Sequence, residues 1–248
     1  MSRPALEAQG LVKSFGGVRA VDGVSFEVEA GRLLAMIGPN GAGKSTCFNM
    51  LNGQLKPDAG RVLLGGRDIT GLQTRAIWAL GVGRTFQVTA TFASMTVREN
   101  VQLALLSHRG QALRPFGRAR EAHVAEADRL LARVGMGEQA ERACGVLAYG
   151  DLKRVELAVA LAGAPRLLLM DEPTAGMPAG ARNRLMQLAG ELARRDAIAV
   201  LFTEHDMDVV FGHADRVIVI AGGRIIAEGP PEAIRADPRV QEIYLGSG

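Results

Sequence analysis

One short glycine-rich segment constrains this chain more than any other feature. Gly38–Ser45 reads GPNGAGKS and matches the pattern G-x-x-x-x-G-K-[ST]. It follows the apolar run Leu33–Ile37, which has the length of a buried strand, and it precedes Thr46–Leu51, which is typical of a short helix stopped by Gly53. A strand, a tight glycine loop and a helix in this order predict a phosphate-binding loop.

The residue types of this loop suit the phosphate groups of a nucleotide. Glycines let backbone N–H groups curl around phosphate oxygens, and the following helix adds the partial positive charge of its N-terminus. We expect Lys44 to reach the β- and γ-phosphates and the Ser45 hydroxyl to ligate Mg²⁺. A chance glycine-rich turn is the alternative, and the strand–loop–helix context argues against it. The residues expected to bind the nucleotide here are Asn40, Gly41, Ala42, Gly43, Lys44, Ser45 and Thr46.

The composition is that of a globular protein with one large domain or two small ones. Of the 248 residues, 48% are hydrophobic and 22% are charged. The apolar runs are too short to span a membrane, and the N-terminus, with Arg3 and Glu7, does not resemble a signal peptide. Cys47 and Cys144 are too few for a disulfide framework, which suits a reducing cytosol. The net charge of +3 is too small and dispersed to predict a nucleic-acid partner.

Three patterns follow one another along the chain, and we expect them to form a single domain of residues 1–248. β-type segments separated by turns, such as Leu6–Leu11 and Val24–Val28, predict a small antiparallel sheet. Helical periodicity predicts a helical subdomain at about residues 97–160. Beyond it, apolar strands alternate with helices up to a short tail at about 230–248, which indicates a mostly parallel sheet covered on both faces. The strands predicted there are Leu167–Met170, Ile198–Thr203 and Arg216–Ile220, and Ala181–Arg194 is predicted as a helix.

Two carboxylates follow the predicted strand Leu167–Met170 directly. Because parallel strands end at the same edge of a sheet, Asp171 and Glu172 are expected beside the phosphate loop. Asp171 is placed to hold Mg²⁺ through water, and Glu172 to act as the general base on the attacking water, worth about 3–5 kcal/mol. His205 follows the next strand and is expected to contact the γ-phosphate. An ordinary acidic turn and a surface histidine are the alternatives.

These ordered motifs resemble those of the ATP-binding-cassette (ABC) ATPases, and the resemblance spans nearly the whole chain. By that resemblance, Phe15 stacks on the adenine ring, with Val18 or Ala20 flanking the base. Gln87, in Arg84–Gln87, is similar to the family's glutamine that joins Mg²⁺ and the attacking water to the transporter contact. Asp171, Glu172 and His205 then match the second phosphate-site motif and the switch histidine.

Two further segments resemble the parts of the family that act across a pair of subunits. Leu147–Asp151 is similar to the signature segment, through which Ala148 and Gly150 serve the nucleotide bound to the opposite subunit. Ala175–Pro178 is similar to the loop that pairs subunits. Ala148 replaces the usual serine and so removes one hydrogen bond to the γ-phosphate, whereas the Gly150 N–H and the following helix N-terminus remain available.

Within the family, local segments resemble the ATP-binding subunits of branched-chain amino-acid importers. The resemblance implies a P-loop NTPase cassette of the α/β class, with a mostly parallel core sheet, a small antiparallel β subdomain and a helical subdomain. It also implies an ATP hydrolase that powers import of branched-chain amino acids or related small polar solutes. The segments that carry it are Gly83–Gln87, Met95–Val101, Leu147–Gly150, Glu204–Met207 and Tyr244–Gly246.

The same resemblance implies cofactors, partners and a location. It implies ATP and Mg²⁺, transmembrane permease subunits, a second cassette that is identical or different, and a periplasmic solute-binding protein that acts indirectly, with no nucleic acid. The chain is expected at the cytoplasmic face of the inner (plasma) membrane as a peripheral subunit. An ATPase subunit of a lipid or lipopolysaccharide exporter is the alternative, and the context of Arg84–Gln87 and the ending Tyr244–Gly246 favour the importer.

Aromatic and methionine side chains flank the segment that follows Gln87. Phe86 precedes it, and Phe92 and Met95 lie within it among small polar residues. In the family, this region and the helical subdomain form a groove that receives a short permease helix. We therefore hypothesise that Phe92 and Met95 line a docking groove. Packing inside the helical subdomain is the alternative.

Overall fold

A computed structural model describes residues 3–85, 91–111 and 122–245 of the chain. Ten strands and nine helices are described, along with two short 3₁₀ helices at Gly137–Gln139 and Cys144–Val146. The strands are β1 Leu6–Phe15, β2 Val18–Val28, β3 Leu33–Ile37, β4 Ala59–Leu64, β5 Arg67–Asp68, β6 Val82–Thr85, β7 Leu167–Asp171, β8 Ala199–Thr203, β9 Arg216–Ala221 and β10 Arg224–Gly229. The helices are α1 Lys44–Leu51, α2 Thr74–Ala79, α3 Val97–His108, α4 Val124–Arg133, α5 Tyr149–Leu161, α6 Ala179–Asp196, α7 Met207–His213, α8 Pro231–Ala236 and α9 Pro238–Leu245.

The larger sheet has six strands in the order β10-β9-β3-β8-β7-β6. All neighbouring pairs from β9 to β6 are parallel, and only the pairing of β10 with β9 is antiparallel. Successive side chains of a strand point to opposite faces of its sheet. Accordingly, Leu33, Ala35 and Ile37 of β3 belong to one hydrophobic cluster, and Leu34 and Met36 belong to the other. Burial on both faces explains why the core strands read as continuous apolar runs.

The smaller sheet has four antiparallel strands in the order β2-β1-β4-β5. β1 continues to Phe15, beyond the predicted end at Leu11, because a bulge breaks its apolar alternation. Gly10 lies in this bulge with a φ of +58°. This sheet and α1 share one hydrophobic cluster with one face of the larger sheet.

Helices α3, α4 and α5 lie in the stretch that the periodicity predicts to be helical. α3 begins at a capping box, in which the Thr96 side chain accepts a hydrogen bond from the Glu99 N–H and the Glu99 side chain accepts one from the Thr96 N–H. Val101, Leu131 and Val155, one from each helix, are buried in the cluster on the second face of the larger sheet. One face of the larger sheet is therefore covered by the smaller sheet and α1, and the other is covered by helices that include α3, α4 and α5.

Strand β6 is not predicted from the sequence, because its four residues, VGRT, lack an apolar run. It forms the edge of the larger sheet beside β7. A Cβ added to Gly83 would lie 3.1 Å from the carbonyl oxygen of Ala160, so a small residue lets α5 pack closely on this edge. Among the described helices, none has the length and apolar character needed to cross a membrane.

Candidate functional site

The glycine-rich loop joins β3 to α1, in the order of elements that the sequence predicts. Gly38 and Gly43 have φ values of +154° and +108°. A Cβ added to Gly38 would lie 2.0 Å from the carbonyl oxygen of Ile220, and one added to Gly43 would lie 2.4 Å from that of Ala20. The loop is thus held between two other backbone segments, and only glycine fits at these two positions.

Lys44 is the first residue of α1, and its side chain is buried against the loop. Its ammonium group donates hydrogen bonds to the carbonyl oxygens of Gly38, at 2.6 Å, and Pro39, at 3.0 Å. Burial lowers the pKa of Lys44 from its usual value, while the charges of Glu172 and Asp171 act in the opposite direction. A buried cation beside a glycine loop is suited to neutralise the phosphate groups of a nucleotide.

The remaining loop residues surround this lysine at different depths. Asn40 and Gly41 are exposed, whereas Ala42 is buried. In the first turn of α1, Ser45 is exposed and Thr46 is half-buried. The Ser45 hydroxyl therefore lies at the accessible N-terminus of α1, where a metal ion bound to phosphate would meet it.

Asp171 ends β7, and its carboxylate is held from two sides. Its Oδ1 accepts a hydrogen bond from the Thr203 hydroxyl at 2.8 Å, and its Oδ2 lies 3.1 Å from Nη2 of Arg84. Arg84 also donates to the side-chain oxygens of Asn49, on α1, and of Gln54. These contacts fix the direction of the carboxylate beside the phosphate loop.

Glu172 follows Asp171 in the left-handed backbone region, with a φ of +45°. Its N–H donates to the carbonyl oxygen of Thr203 at 3.2 Å and to the hydroxyl of that residue at 3.1 Å. Its Oε1 lies 2.9 Å from Nε2 of His205. The left-handed conformation costs a residue other than glycine about 1–2 kcal/mol, so the fold holds this carboxylate in place at some expense of stability.

The predicted catalytic groups meet at one edge of the larger sheet. Lys44, Asp171 and His205 follow or end β3, β7 and β8, which are adjacent parallel strands. Parallel strands end at a common edge, and this is where open α/β sheets bind their ligands. Gln87, the remaining predicted catalytic and metal-binding residue, lies outside the described residues.

The two predicted base-binding residues lie on the hairpin between β1 and β2. Phe15 is 48% exposed and Val18 is 71% exposed, which leaves both side chains accessible. The ammonium group of Lys13 lies 5.8 Å from the centre of the Phe15 ring. Ala20, on the same hairpin, contacts the phosphate loop through its carbonyl oxygen near Gly43. An exposed aromatic ring on a hairpin that packs against the loop suits stacking on a base.

The signature segment forms the N-terminus of α5. Ala148 occupies the N-cap position in an extended conformation and, among the described residues, makes no side-chain capping bond. Tyr149 is 40% exposed. A Cβ added to Gly150 would lie 3.4 Å from Cε of Met177, so this helix end lies against the loop Ala175–Pro178 of the same chain. The helix N-terminus is thus open on one side and bordered on the other by the second segment predicted to meet a partner subunit.

A groove of about 310 Å³ lies beside this site, between β6, α2, α3 and α5. Arg84 lines the groove and also contacts Asp171, so the groove and the phosphate site share a side chain. The rings of Trp78 and His108 meet near it edge to face, with their centres 4.8 Å apart. The apolar lining residues are Ile77, Trp78, Val82, Ala104, Val159 and Ala160.

Two residues of the site were missed as individual site residues in the sequence. Arg84 appeared there only as part of a local segment, and Thr203 only as the end of a strand. Thr203 is the last residue of β8 and Arg84 is the third of the four residues of β6, and both strands neighbour β7, the strand of Asp171. A search for polar residues at all strand ends would have included Thr203, whereas Arg84 requires knowledge of the short strand β6.

Comparison with known proteins identifies the family of this chain. A sequence model of the family described as "ABC transporter" matches residues 21–175, and one described as "Branched-chain amino acid ATP-binding cassette transporter" matches residues 224–248. The chain is 41% identical to the high-affinity branched-chain amino acid transport ATP-binding protein BraF of Pseudomonas aeruginosa, over 99% of both chains. It is 40% identical to the corresponding protein LivG of Escherichia coli K12, again over 99% of both.

A solved structure shows the same fold. The ADP conformation of an ATP-binding cassette of an ABC transporter superposes with a TM-score of 0.87 at 33% identity, covering 98% of this chain and 99% of the other. The chain is therefore an ABC transporter ATPase, with the α/β cassette fold that the sequence predicts. Within that class it belongs to the branched-chain amino acid transport ATP-binding proteins, the family of LivG and BraF.

Proposed function

We propose that this chain is the ATP-binding subunit that powers an importer of branched-chain amino acids. The observation that carries the proposal is the meeting of Lys44, Asp171, Glu172 and His205 at one sheet edge. The solute class comes from the names of the full-length relatives. The chain supplies the energy-converting site, and its partners select the solute.

Each charged group of the site has a distinct task in ATP hydrolysis. Lys44 neutralises the β- and γ-phosphates from inside the loop. Glu172 accepts the proton of the attacking water, and its hydrogen-bond contact with His205 orients the carboxylate toward that water. His205 is 49% exposed along its side chain, so it can also reach the γ-phosphate once the nucleotide is bound.

The site also fits Mg²⁺ by the chemistry of its oxygen ligands. The Ser45 hydroxyl and the Asp171 carboxylate are the hard oxygen groups that Mg²⁺ prefers, together with phosphate oxygens and water. The hydrogen bond from Thr203 holds the Asp171 carboxylate in a fixed direction. Bound Mg²⁺ would offset the phosphate charge as the bond to the γ-phosphate breaks. Gln87 is proposed as a further ligand from the sequence alone.

The other binding roles divide between the nucleotide of the same subunit and that of a partner. Phe15 and Val18 offer an accessible apolar surface for the adenine base. Ala148 and Gly150 present the N-terminus of α5 to the γ-phosphate of the nucleotide on the opposite subunit. Both assignments remain proposals that rest on exposure and on the family resemblance.

ABC cassettes work as dimers with transmembrane permease partners. We propose that residues 1–248 form one ATP-binding domain, with a helical subdomain at about 97–160, that works at the cytoplasmic face of the inner membrane. A permease segment would occupy the groove between α2, α3 and α5, whose apolar lining suits one face of a short helix. The second cassette can be identical or different, and a periplasmic solute-binding protein would act indirectly through the permease.

The variant Glu172→Gln tests the catalytic assignment. It keeps the size of the side chain and removes the base, so ATP binding should persist while turnover falls by about two to four powers of ten. Retained ATP should also hold two cassettes together, because the partner closes the site. Isothermal titration, single-turnover hydrolysis and light scattering with and without MgATP measure the three effects.

Nearly normal turnover of Glu172→Gln would contradict the assignment of Glu172 as the base. Glu191→Gln is a suitable control, because Glu191 is an exposed residue of α6 away from the loop. Unchanged mass with MgATP, well above the nucleotide affinity, would contradict pairing of identical cassettes and favour a different partner cassette.

A further inference from the structure

Two loops that follow β7 and β8 lie side by side and carry the reactive groups. The first contains Glu172 and continues through Ala175–Pro178 into α6. The second contains His205 and leads into α7 at Asp206, whose carboxylate caps the helix by accepting from the N–H groups of Asp208 and Val209. The contact between Glu172 and His205 therefore depends on how the two loops are held relative to one another.

Arg182, in the first turn of α6, connects these loops with its guanidinium group. Its Nε donates to the carbonyl oxygen of Met177 at 2.8 Å. Its Nη1 forms an ion pair with Oδ2 of Asp206, the residue next to His205. One planar side chain thus holds the backbone of the first loop and the carboxylate of the second.

The buried carboxylate of Glu204, the residue before His205, makes a second connection between the two loops. Glu204 is 4% exposed, and its Oε1 accepts hydrogen bonds from the Thr174 N–H at 2.8 Å and the Thr174 hydroxyl at 2.7 Å. The residues before and after His205 are therefore each fixed to the loop that carries Glu172. The His205 side chain itself is 49% exposed and contacts Glu172.

We propose that Arg182 is a positioning residue for ATP hydrolysis, which sets the distance between His205 and Glu172 by bridging Met177 and Asp206. The proposal rests on the roles assigned above to Glu172 and His205. The hydrogen bonds of Arg182 go to Met177 and Asp206, not to Glu172 or His205, so it acts through the two loops. Its effect therefore appears in the rate of hydrolysis and leaves the binding of ATP unchanged.

The exposure of the ion pair separates this role from a purely structural one. The side chains of Arg182 and Asp206 are each 30% exposed, and partly exposed ion pairs add little to folding stability. A small displacement of a catalytic group, by contrast, lowers a rate strongly, by about a hundredfold for 1 Å. Loss of the bridge should accordingly reduce turnover much more than it reduces stability.

The chain contains a matched control pair at the far end of the same helix. Arg133, on α4, forms an ion pair with Asp196, the last residue of α6, with side chains that are 28% and 31% exposed. This pair also joins two elements through an arginine and an aspartate, but it lies away from both loops. Arg133→Ala therefore reports the cost of losing a similar ion pair without an effect on the site.

The experiment compares single-turnover hydrolysis, KM for ATP, ATP affinity and urea unfolding for the full chain. The variants are Arg182→Ala, Arg182→Lys, Asp206→Asn, Arg182→Ala with Asp206→Asn, His205→Ala and Arg133→Ala. Asp206→Asn keeps an oxygen that can cap α7 and replaces the charged acceptor facing Arg182 by an uncharged amide NH₂ group. Arg182→Lys keeps the charge and loses the fork that reaches both partners.

We expect Arg182→Ala to lower kcat about ten- to hundredfold, with KM and ATP affinity within about twofold of the wild type. Arg182→Lys should recover part of the loss, and the double variant should be no worse than Arg182→Ala alone. The unfolding midpoints of Arg182→Ala and Arg133→Ala should be similar.

Three results would overturn the proposal in different ways. If His205→Ala lost turnover while Arg182→Ala kept it, Arg182 would have no positioning role, and the proposed function of the site would stand. If His205→Ala kept full turnover, the assigned role of His205 would be wrong and the proposal would fall with it. A loss of turnover in Arg182→Ala that matched a fall in folded protein would show a structural role only.

Discussion

At the scale of single residues, the phosphate loop shows two different reasons for glycine. Gly38 combines a φ of +154° with a carbonyl oxygen 2.0 Å from an added Cβ. Gly41 has a φ of +77°, but no described atom lies within 4 Å of an added Cβ. We expect Gly41→Ala to cost about 1 kcal/mol of unfolding free energy, from backbone strain alone, and Gly38→Ala to cost about 3 kcal/mol, since overpacking adds to strain. Urea unfolding measures both, and equal costs would contradict the close approach of Ile220.

Lys44 is expected to dominate the affinity for the triphosphate. Lys44 is 8% exposed as a whole residue and its ammonium group already contacts the loop, so its removal loses a charged contact that water does not replace well. Lys44→Ala should weaken MgATP binding by more than about a hundredfold, as expected for the loss of about 3 kcal/mol. Titration calorimetry measures the affinity. Lys56→Ala, at an exposed position outside the loop, is the control and should bind MgATP normally. If Lys44→Ala bound MgATP as tightly as Lys56→Ala, Lys44 would not contact the phosphates.

The individual groups of the site were predictable to different degrees. Lys44, Asp171 and Glu172 belong to motifs in which the local chain order defines the role, so they could be named from sequence. Arg84 and Thr203 reach Asp171 only because β6 and β8 flank β7. The order of strands in a sheet is set by contacts between distant parts of the chain, and it cannot be predicted from the local patterns of a single sequence.

At the scale of elements, α5 begins without the help of a capping side chain. Ala148 has the extended backbone of an N-cap residue, and serine at such a position accepts a hydrogen bond from the helix. Ala148→Ser should therefore raise the free energy of unfolding by about 1 kcal/mol. It should leave ATPase activity within about tenfold, because one neutral hydrogen bond contributes about 0.5–1.5 kcal/mol. Urea unfolding and steady-state hydrolysis test the two effects, and Ala181→Ser within α6 controls for serine itself.

Strands and helices with a regular hydrophobic pattern were predicted well, whereas strands whose pattern is broken by a bulge or a glycine were not. β3 and β8 read as buried strands because both faces of each are covered. β1 was predicted too short, because the bulge at Gly10 reverses its alternation. β6 was missed because four residues with a glycine carry no period. Bulges and short edge strands depend on the neighbouring backbone, which sequence periodicity does not report.

At the scale of the whole molecule, Arg84 connects the groove between β6, α2, α3 and α5 with the sheet edge that carries the catalytic residues. Arg84 lines the groove and forms an ion pair with Asp171 at 3.1 Å. A change in the groove can therefore alter the position of a carboxylate in the phosphate site. Phe92 and Met95, the residues predicted to dock the permease, are not among the residues that line this groove. Phe92 is 57% exposed, Met95 is half-buried, and Phe86 lies outside the described residues, so docking through these side chains stays a prediction.

The last prediction concerns how the groove receives the permease. Ser107 is an exposed residue of α3 that lines the groove, so Ser107→Trp fills the groove without entering the core. The isolated variant should keep its unfolding midpoint and ATP affinity. In membranes with the transporter's permeases, it should lose co-purification and solute uptake at least tenfold, because a bound helix and the indole would occupy the same space. Ala125→Trp, at an exposed position of α4 that does not line the groove, is the matched control.

A second variant separates the groove from the segment proposed on sequence grounds. Phe92→Ser with Met95→Ser removes accessible apolar surface and leaves the groove lining unchanged. If both variants lose co-purification, the permease contacts the groove and this segment together. Loss with Ser107→Trp alone would show that the groove docks the permease and that Phe92 and Met95 do not. Normal uptake with both variants would contradict docking on this side of the cassette, and a large fall in unfolding midpoint for the serine pair would assign those side chains to packing.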